Sequence, residues 1–176
     1  MPLTLIVGCM FSGKTTEMLR QVDRLTAINK KVLIAHSVVD TRIKNSRVHT
    51  HAETSRTSKQ YKNIRDIPFD EYDAVAIDEG QFFPDIMDII PYLNSTIVMI
   101  SALNGTAEKK NFGKIHELIP HADDIIFKKA YCGVCMDIKP APFTKRLALQ
   151  QGNTIDIGAS DKYVAVCRKC YEGCIV

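Results

Sequence analysis

Residues Gly8 to Thr15 read GCMFSGKT, a G-x-x-x-x-G-K-[ST] pattern. The pattern works only where a buried strand ends and a helix begins, because loop N–H groups and the helix N-terminus must converge on a phosphate. Both flanks are present. Leu3–Val7 (LTLIV) is a continuous apolar run, as expected of a strand covered on both faces. The stretch from Lys14 to Ile28 follows with Met18, Leu19, Val22, Leu25 and Ile28 at helical spacing. Lys31–His36 (KVLIAH) reads as a second buried strand. Strand, helix, strand at this spacing is a βαβ unit, which dictates a parallel sheet.

The rest of the chain extends this α/β pattern. Residues 37–60 are polar and basic without a period, and are expected to form a long loop. AVAID (Ala74–Asp78) is the third predicted strand, TIVMIS (Thr96–Ser101) the fourth and DIIFKKA (Asp124–Ala130) the fifth. PDIMDIIPYL predicts a short helix with Pro84 and Asp85 at its start. Character changes near Lys128. The cysteine pairs Cys132/Cys135 and Cys167/Cys170 both follow it, with the polar stretch QQGNTIDIGASDKY between them. The expected organisation is an ATP-binding α/β domain over residues 1–128 and a small metal-stapled lobe over 129–176.

The phosphate loop assigns chemistry to its own residues. Gly8 and Gly13 let the backbone approach a phosphate closely. Lys14 supplies a charge to the β/γ-phosphates, and Thr15 offers a hydroxyl to Mg2+. Asp78 ends a buried strand on the rim where that loop sits, and is expected to hold Mg2+ directly or through water. Glu79 is a candidate general base. In an ATPase such an acid positions a water; in a kinase it takes a proton from a substrate hydroxyl. The two acids alone do not choose between these. Phe82 and Phe83 fit either a core or the wall of a nucleobase pocket.

The four paired cysteines can supply the tetrahedral thiolate set of a structural Zn2+, with a hairpin or loop between the pairs. No His lies beside either pair, which favours a closed site; a redox CxxC is the competing reading. Cys9 and Cys174 are not assigned to the metal. A net charge of +3 is too mild to argue for a nucleic-acid partner. No apolar run approaches the ~20 residues of a membrane span, and the N-terminus lacks the basic region of a signal peptide. The expectation is a soluble, cytoplasmic protein with neither a nucleic-acid nor a membrane partner.

The segments GCMFSGKTTEMLR, DTR (Asp40–Arg42), IDEGQFFPDI, SALNGT (Ser101–Thr106), TKRL (Thr144–Leu147), SDKY (Ser160–Tyr163) and VCRKCY (Val166–Tyr171) occur in this order. Together they resemble the type II thymidine kinases, the cytosolic zinc-containing class of cells and large DNA viruses, over nearly the whole chain. The resemblance implies a RecA-like α/β domain plus a zinc lobe, whose "lasso" loop, here roughly Leu149 to Asp161, closes over the nucleoside.

It also implies residue roles. Gly8, Cys9, Met10, Phe11, Ser12, Gly13, Lys14 and Thr15 would hold ATP phosphates and Asp78 would assist Mg2+. Glu79 would be the base on the sugar 5′-hydroxyl, with Lys14 and Arg42 stabilising the transferring phosphoryl group. Met10, Phe82, Leu103 and Phe112 would line the base pocket; Thr144 and Tyr163 would contact the nucleoside, and backbone groups at Ile157 and Gly158 would read the base edge. The implied substrate is thymidine, the implied assembly a homotetramer, and the implied feedback inhibitor deoxythymidine triphosphate.

The chain departs from this pattern in four places. Cys9 stands where the family usually has Pro. LDGTF becomes LNGTA, with Asn104 and with Ala107 in place of a Phe that stacks on thymine, a loss on the order of 1–3 kcal/mol. THD becomes Thr50-His51-Ala52, and the stretch from Cys135 to Thr144 is longer than usual. Two other readings stay open: a RecA-like ATPase or nucleic-acid-binding module with a zinc ribbon, and a family member inactivated at Ala107.

Overall fold

The computed structural model describes residues 2–40, 47–49, 55–147 and 162–173. In chain order these form β1 (Leu3–Gly8), α1 (Lys14–Ala27), β2 (Val32–Ser37), β3 (Arg47–His49), β4 (Ser55–Thr57), β5 (Lys59–Tyr61), β6 (Ala74–Asp78), β7 (Ile97–Leu103), β8 (Asp124–Lys128), β9 (Ala130–Tyr131), β10 (Pro140–Ala141), β11 (Phe143–Arg146), β12 (Tyr163–Val166) and α2 (Arg168–Glu172). Six of the strands make one sheet in the order β5-β2-β6-β7-β1-β8, with every neighbouring pair parallel. The chain is therefore an α/β protein, as the βαβ reading requires.

Period-two alternation divides the sheet's side chains between two cores. Ile6, Ile34, Ala76 and Met99 pack against Met18, Leu19 and Val22 of α1. Leu3, Leu5, Leu33, Val75, Ile77, Val98 and Ile100 face the other way and meet Phe83, Ile86, Ile89, Ile115 and Leu118. Both faces are covered, so the strands read as unbroken apolar runs rather than alternating ones. Asp78 lies two residues beyond Ala76, which carries its side chain to the α1 face.

Three elements differ from the sequence-based expectation. The stretch 37–60 holds the antiparallel pair β3–β4 and the start of the edge strand β5, parallel to β2. In β5, Lys59 and Gln60 are exposed and Tyr61 half-buried, so there is no apolar alternation to read. The segment after Pro84 is a 3-10 helix, Ile86–Asn94, with Pro91 inside it; Pro91 has no N–H to give to a regular α-helical ladder. The predicted strand Asp124–Ala130 is interrupted at Lys129. β8 stays in the large sheet, while β9 pairs antiparallel with β10. A second antiparallel pair, β11 with β12, follows.

Candidate active site

The C-terminal ends of β1, β6 and β7 open on the same edge of the sheet, with Gly8 in register with Leu103. A side chain on Gly8 would place Cβ 2.3 Å from the Lys128 carbonyl oxygen, so only glycine lets β1 turn into its loop there. Gly13 enters α1 with φ 77°, again in the region that favours glycine. Lys14 Nζ and Ser12 Oγ both donate to the Cys9 carbonyl, each at 2.8 Å, which draws the loop into a tight ring. Cys9 itself turns its side chain out of that ring: it is fully buried and its Sγ donates to the Ala141 carbonyl at 3.0 Å.

Asp78 meets the loop from the side. Thr15 Oγ1 donates to its Oδ1 at 3.1 Å, and Ser101 Oγ donates to the same oxygen. Burial pushes the Asp78 carboxyl up to about 6, and the neighbouring Glu79 charge adds to that; the Ser101 and Thr15 hydrogen bonds and the Lys14 charge pull the other way. A hydroxyl and a desolvated carboxylate side by side are hard oxygen donors suited to Mg2+, whose charge would relieve the penalty on Asp78.

Glu79 adopts φ 52°, ψ 47°, a left-handed conformation uncommon for a residue with a side chain. Strain of this kind persists where surrounding contacts over-determine it. Gln81, which the sequence reading did not assign, supplies such a contact. Its side-chain amide donates to Glu79 Oε2 and accepts from the Leu103 N–H at 3.1 Å, so it bolts the carboxylate to the end of β7. Its place inside DEGQFF was the only local signal.

The predicted base-pocket residues come together in pairs. Phe82 and Phe112 pack edge to face with centroids 5.7 Å apart, while Phe83 is core. The Met10 N–H donates to Thr144 Oγ1 at 3.0 Å. Tyr163 is opposite Arg146 in the β11–β12 ribbon and its hydroxyl accepts from Arg146 Nη2 at 3.4 Å. Ala107 accepts at its carbonyl from the Tyr171 hydroxyl, and Lys109 Nζ lies 3.9 Å over the Tyr171 ring. Arg42, Ile157, Gly158 and the stretch Leu149 to Asp161 lie outside the described residues, as do Thr50-His51-Ala52 and Cys174. His36 is a further buried group that sequence reading missed. It is in register with Asp78, burial pushes its pKa down, and neither ring nitrogen has a hydrogen-bond partner among the described residues.

Cys132, Cys135, Cys167 and Cys170 gather at one point, their sulfurs all within 4.8 Å of one another. Four thiolates around a tetrahedral metal at ~2.3 Å would stand about 3.8 Å apart, so the sulfurs lie close enough to converge on one ion. Burial raises the Cys132 thiol, but hydrogen bonds from the backbone at Cys135, Cys167 and Val134 outweigh it and bring it to about 6. Burial and the surrounding thiols push Cys170 up to about 12. The cluster thus holds a first thiolate readily and resists the last until a cation neutralises it.

A family model described as thymidine kinase matches residues 1–171. The chain belongs to the thymidine kinase family. It is 37% identical to the cytosolic thymidine kinase of Cricetulus griseus over 96% of this chain and 72% of that protein. Against the thymidine kinase of Raccoon poxvirus it is 37% identical over 96% of each. The cytosolic thymidine kinase of Homo sapiens is 36% identical over 96% of this chain and 72% of its own length. Membership favours nucleoside phosphorylation over the ATPase and nucleic-acid readings. Among the described residues, no helix is long and apolar enough to cross a membrane.

Proposed function

We infer that this protein transfers the γ-phosphate of ATP to the 5′-hydroxyl of thymidine, giving the monophosphate for DNA precursor synthesis. The observation that carries the reading is the Thr15–Asp78 contact with Glu79 beside it, at the mouth of the phosphate loop in a thymidine kinase family chain. The loop N–H groups from Gly8 to Thr15 cradle the phosphates, and Lys14 swings its charge onto them. Thr15 and Asp78 would hold Mg2+, which when bound would supply further positive charge beside the phosphates. Glu79, oriented by Gln81, accepts the proton of the 5′-hydroxyl. Arg42 stabilises the moving phosphoryl group. Met10, Phe82, Leu103, Phe112, Thr144 and Tyr163 hold the nucleoside, with Ile157 and Gly158 at the base edge.

Residues 1–128 act as the ATP-binding domain and 129–176 as the small lobe carrying Zn2+ and the nucleoside lid. The active species is a cytoplasmic homotetramer, inhibited by deoxythymidine triphosphate. Metal analysis checks the zinc assignment. Purified protein is expected to carry about one zinc per chain, and Cys132→Ser to lose it with a large drop in stability. Metal-free protein with a reversible Cys132–Cys135 disulfide would instead support the redox reading.

The function is tested with Mg2+, γ-labelled ATP and each of the four common deoxynucleosides in turn. Label is expected on thymidine. Label on a different deoxynucleoside would keep the chemistry and locate a changed preference at Ala107. Phosphate released with no labelled nucleoside would overturn the reading in favour of an ATPase.

A further inference from the structure

Each cysteine pair is joined by a short strand to a residue that grips the phosphate loop. Cys132 directly follows β9, and β9 positions Ala141 through the Ala130–Ala141 pair of the β9–β10 ribbon. The Ala141 carbonyl receives the Cys9 thiol at 3.0 Å. Cys167 directly follows β12, and β12 positions Thr144 through the Ala165–Thr144 pair of the β11–β12 ribbon. The Thr144 hydroxyl receives the Met10 N–H at 3.0 Å. Between these two points the Asn104 side chain donates to the Pro142 carbonyl at 3.2 Å, while its own N–H donates to Gly8. Cys9 shares one apolar cluster with Cys132, Ala141, Ala165, Val166 and Cys167.

The far side of Cys9 completes the path. Its carbonyl is the acceptor that holds both Lys14 Nζ and Ser12 Oγ. A shift of Cys9 toward or away from Ala141 therefore moves the group that orients the phosphate-binding lysine.

We propose that Cys9 and Met10 form a clasp through which the four-cysteine site sets the shape of the phosphate loop, so that metal loading and ATP binding are coupled. Cys9 is a positioning residue in this scheme. The proposal rests on the reading above that the loop takes ATP and the cysteines take zinc. Coupling of this kind is reciprocal: if metal tightens ATP binding, ATP must tighten metal binding by the same factor.

The test measures the Kd of a non-hydrolysable MgATP analogue for zinc-loaded and zinc-stripped protein by calorimetry. Stripping is expected to weaken binding about tenfold, within the range usual for coupled sites. Cys9→Ala should weaken binding to the loaded protein several-fold and shrink the ratio between loaded and stripped forms. Cys9→Ser, which keeps a hydroxyl donor, should restore much of both. In unmodified, zinc-loaded protein, saturating analogue should slow zinc transfer to a chromophoric chelator, a readout that needs no variant and no turnover. Zinc and analogue both bound, with Kd and transfer rate independent of each other within about twofold, overturns the clasp alone; that bound sits below the smallest usual coupling. A ratio unchanged in Cys9→Ala also overturns it. Failure of the loaded protein to bind the analogue, or of the cysteines to bind zinc, overturns the underlying reading instead.

Discussion

Glu79→Gln is expected to lower thymidine phosphorylation by about a thousandfold, the middle of the range for losing a general base, while leaving MgATP affinity within a factor of about two. The substitution keeps the volume of the side chain and its ability to meet Gln81, so the left-handed turn and the link to Leu103 survive. What disappears is the site that takes the acceptor's proton. Because Glu79 stands outside the Gly8–Thr15 loop, ATP should bind as before. Single-turnover kinetics beside a nucleotide titration separate the two effects. A variant that turns over at the normal rate would remove Glu79 from the chemistry. One that loses ATP binding as well would recast it as part of the phosphate or metal site.

Asp78→Asn is expected to abolish phosphorylation and, in magnesium-free and nucleotide-free buffer, to gain stability over the unaltered protein as pH rises. The folded-state value near 6 lies above the ordinary 3.8 because burial and Glu79 disfavour the charge. A group raised in this way favours the fold fully below its unfolded value, and that contribution is lost as pH rises through the folded one. Between pH 4 and pH 7 the unaltered protein should therefore lose about 2 kcal/mol relative to the Asn variant, at no more than about 1.4 kcal/mol per pH unit. His36 acts in the opposite direction: burial holds it neutral, so protonation below its ordinary 6.5 favours the unfolded chain. It is present in both proteins, and the difference between their denaturant curves cancels it. A difference that stays flat from pH 4 to pH 7 would mean that Asp78 is not held against its desolvation. Asp78 is thus an acid that the fold carries at a cost, as functional groups often are.

The phosphate loop, its strand and its helix were legible in the sequence because the loop's geometry requires all three within about twenty residues. The acid at the end of β6 was legible for the same reason, as an abrupt change from apolar to charged at a strand terminus. The paired cysteines announced their convergence through a two-residue spacer that suits one metal ion. The edge strand β5 was not legible, since main-chain pairing at an edge leaves exposed Lys59 and Gln60 with no period. Nor was the break at Lys129, because the residues from Asp124 to Ala130 all suit strands and only their different partners separate them.

The sequence by itself determined which chemical groups this protein has and which lie within a turn or a strand of one another: Lys14 with Thr15, Asp78 with Glu79, cysteine with cysteine. Covalent spacing and backbone periodicity act over that range. Only the tertiary structure decided that Gln81 anchors to Leu103 at the end of β7, and that the Cys9 thiol turns toward Ala141, 132 positions away. Those contacts arise where separate strands are brought side by side in the packed fold, and no local pattern in the chain records which strands those will be.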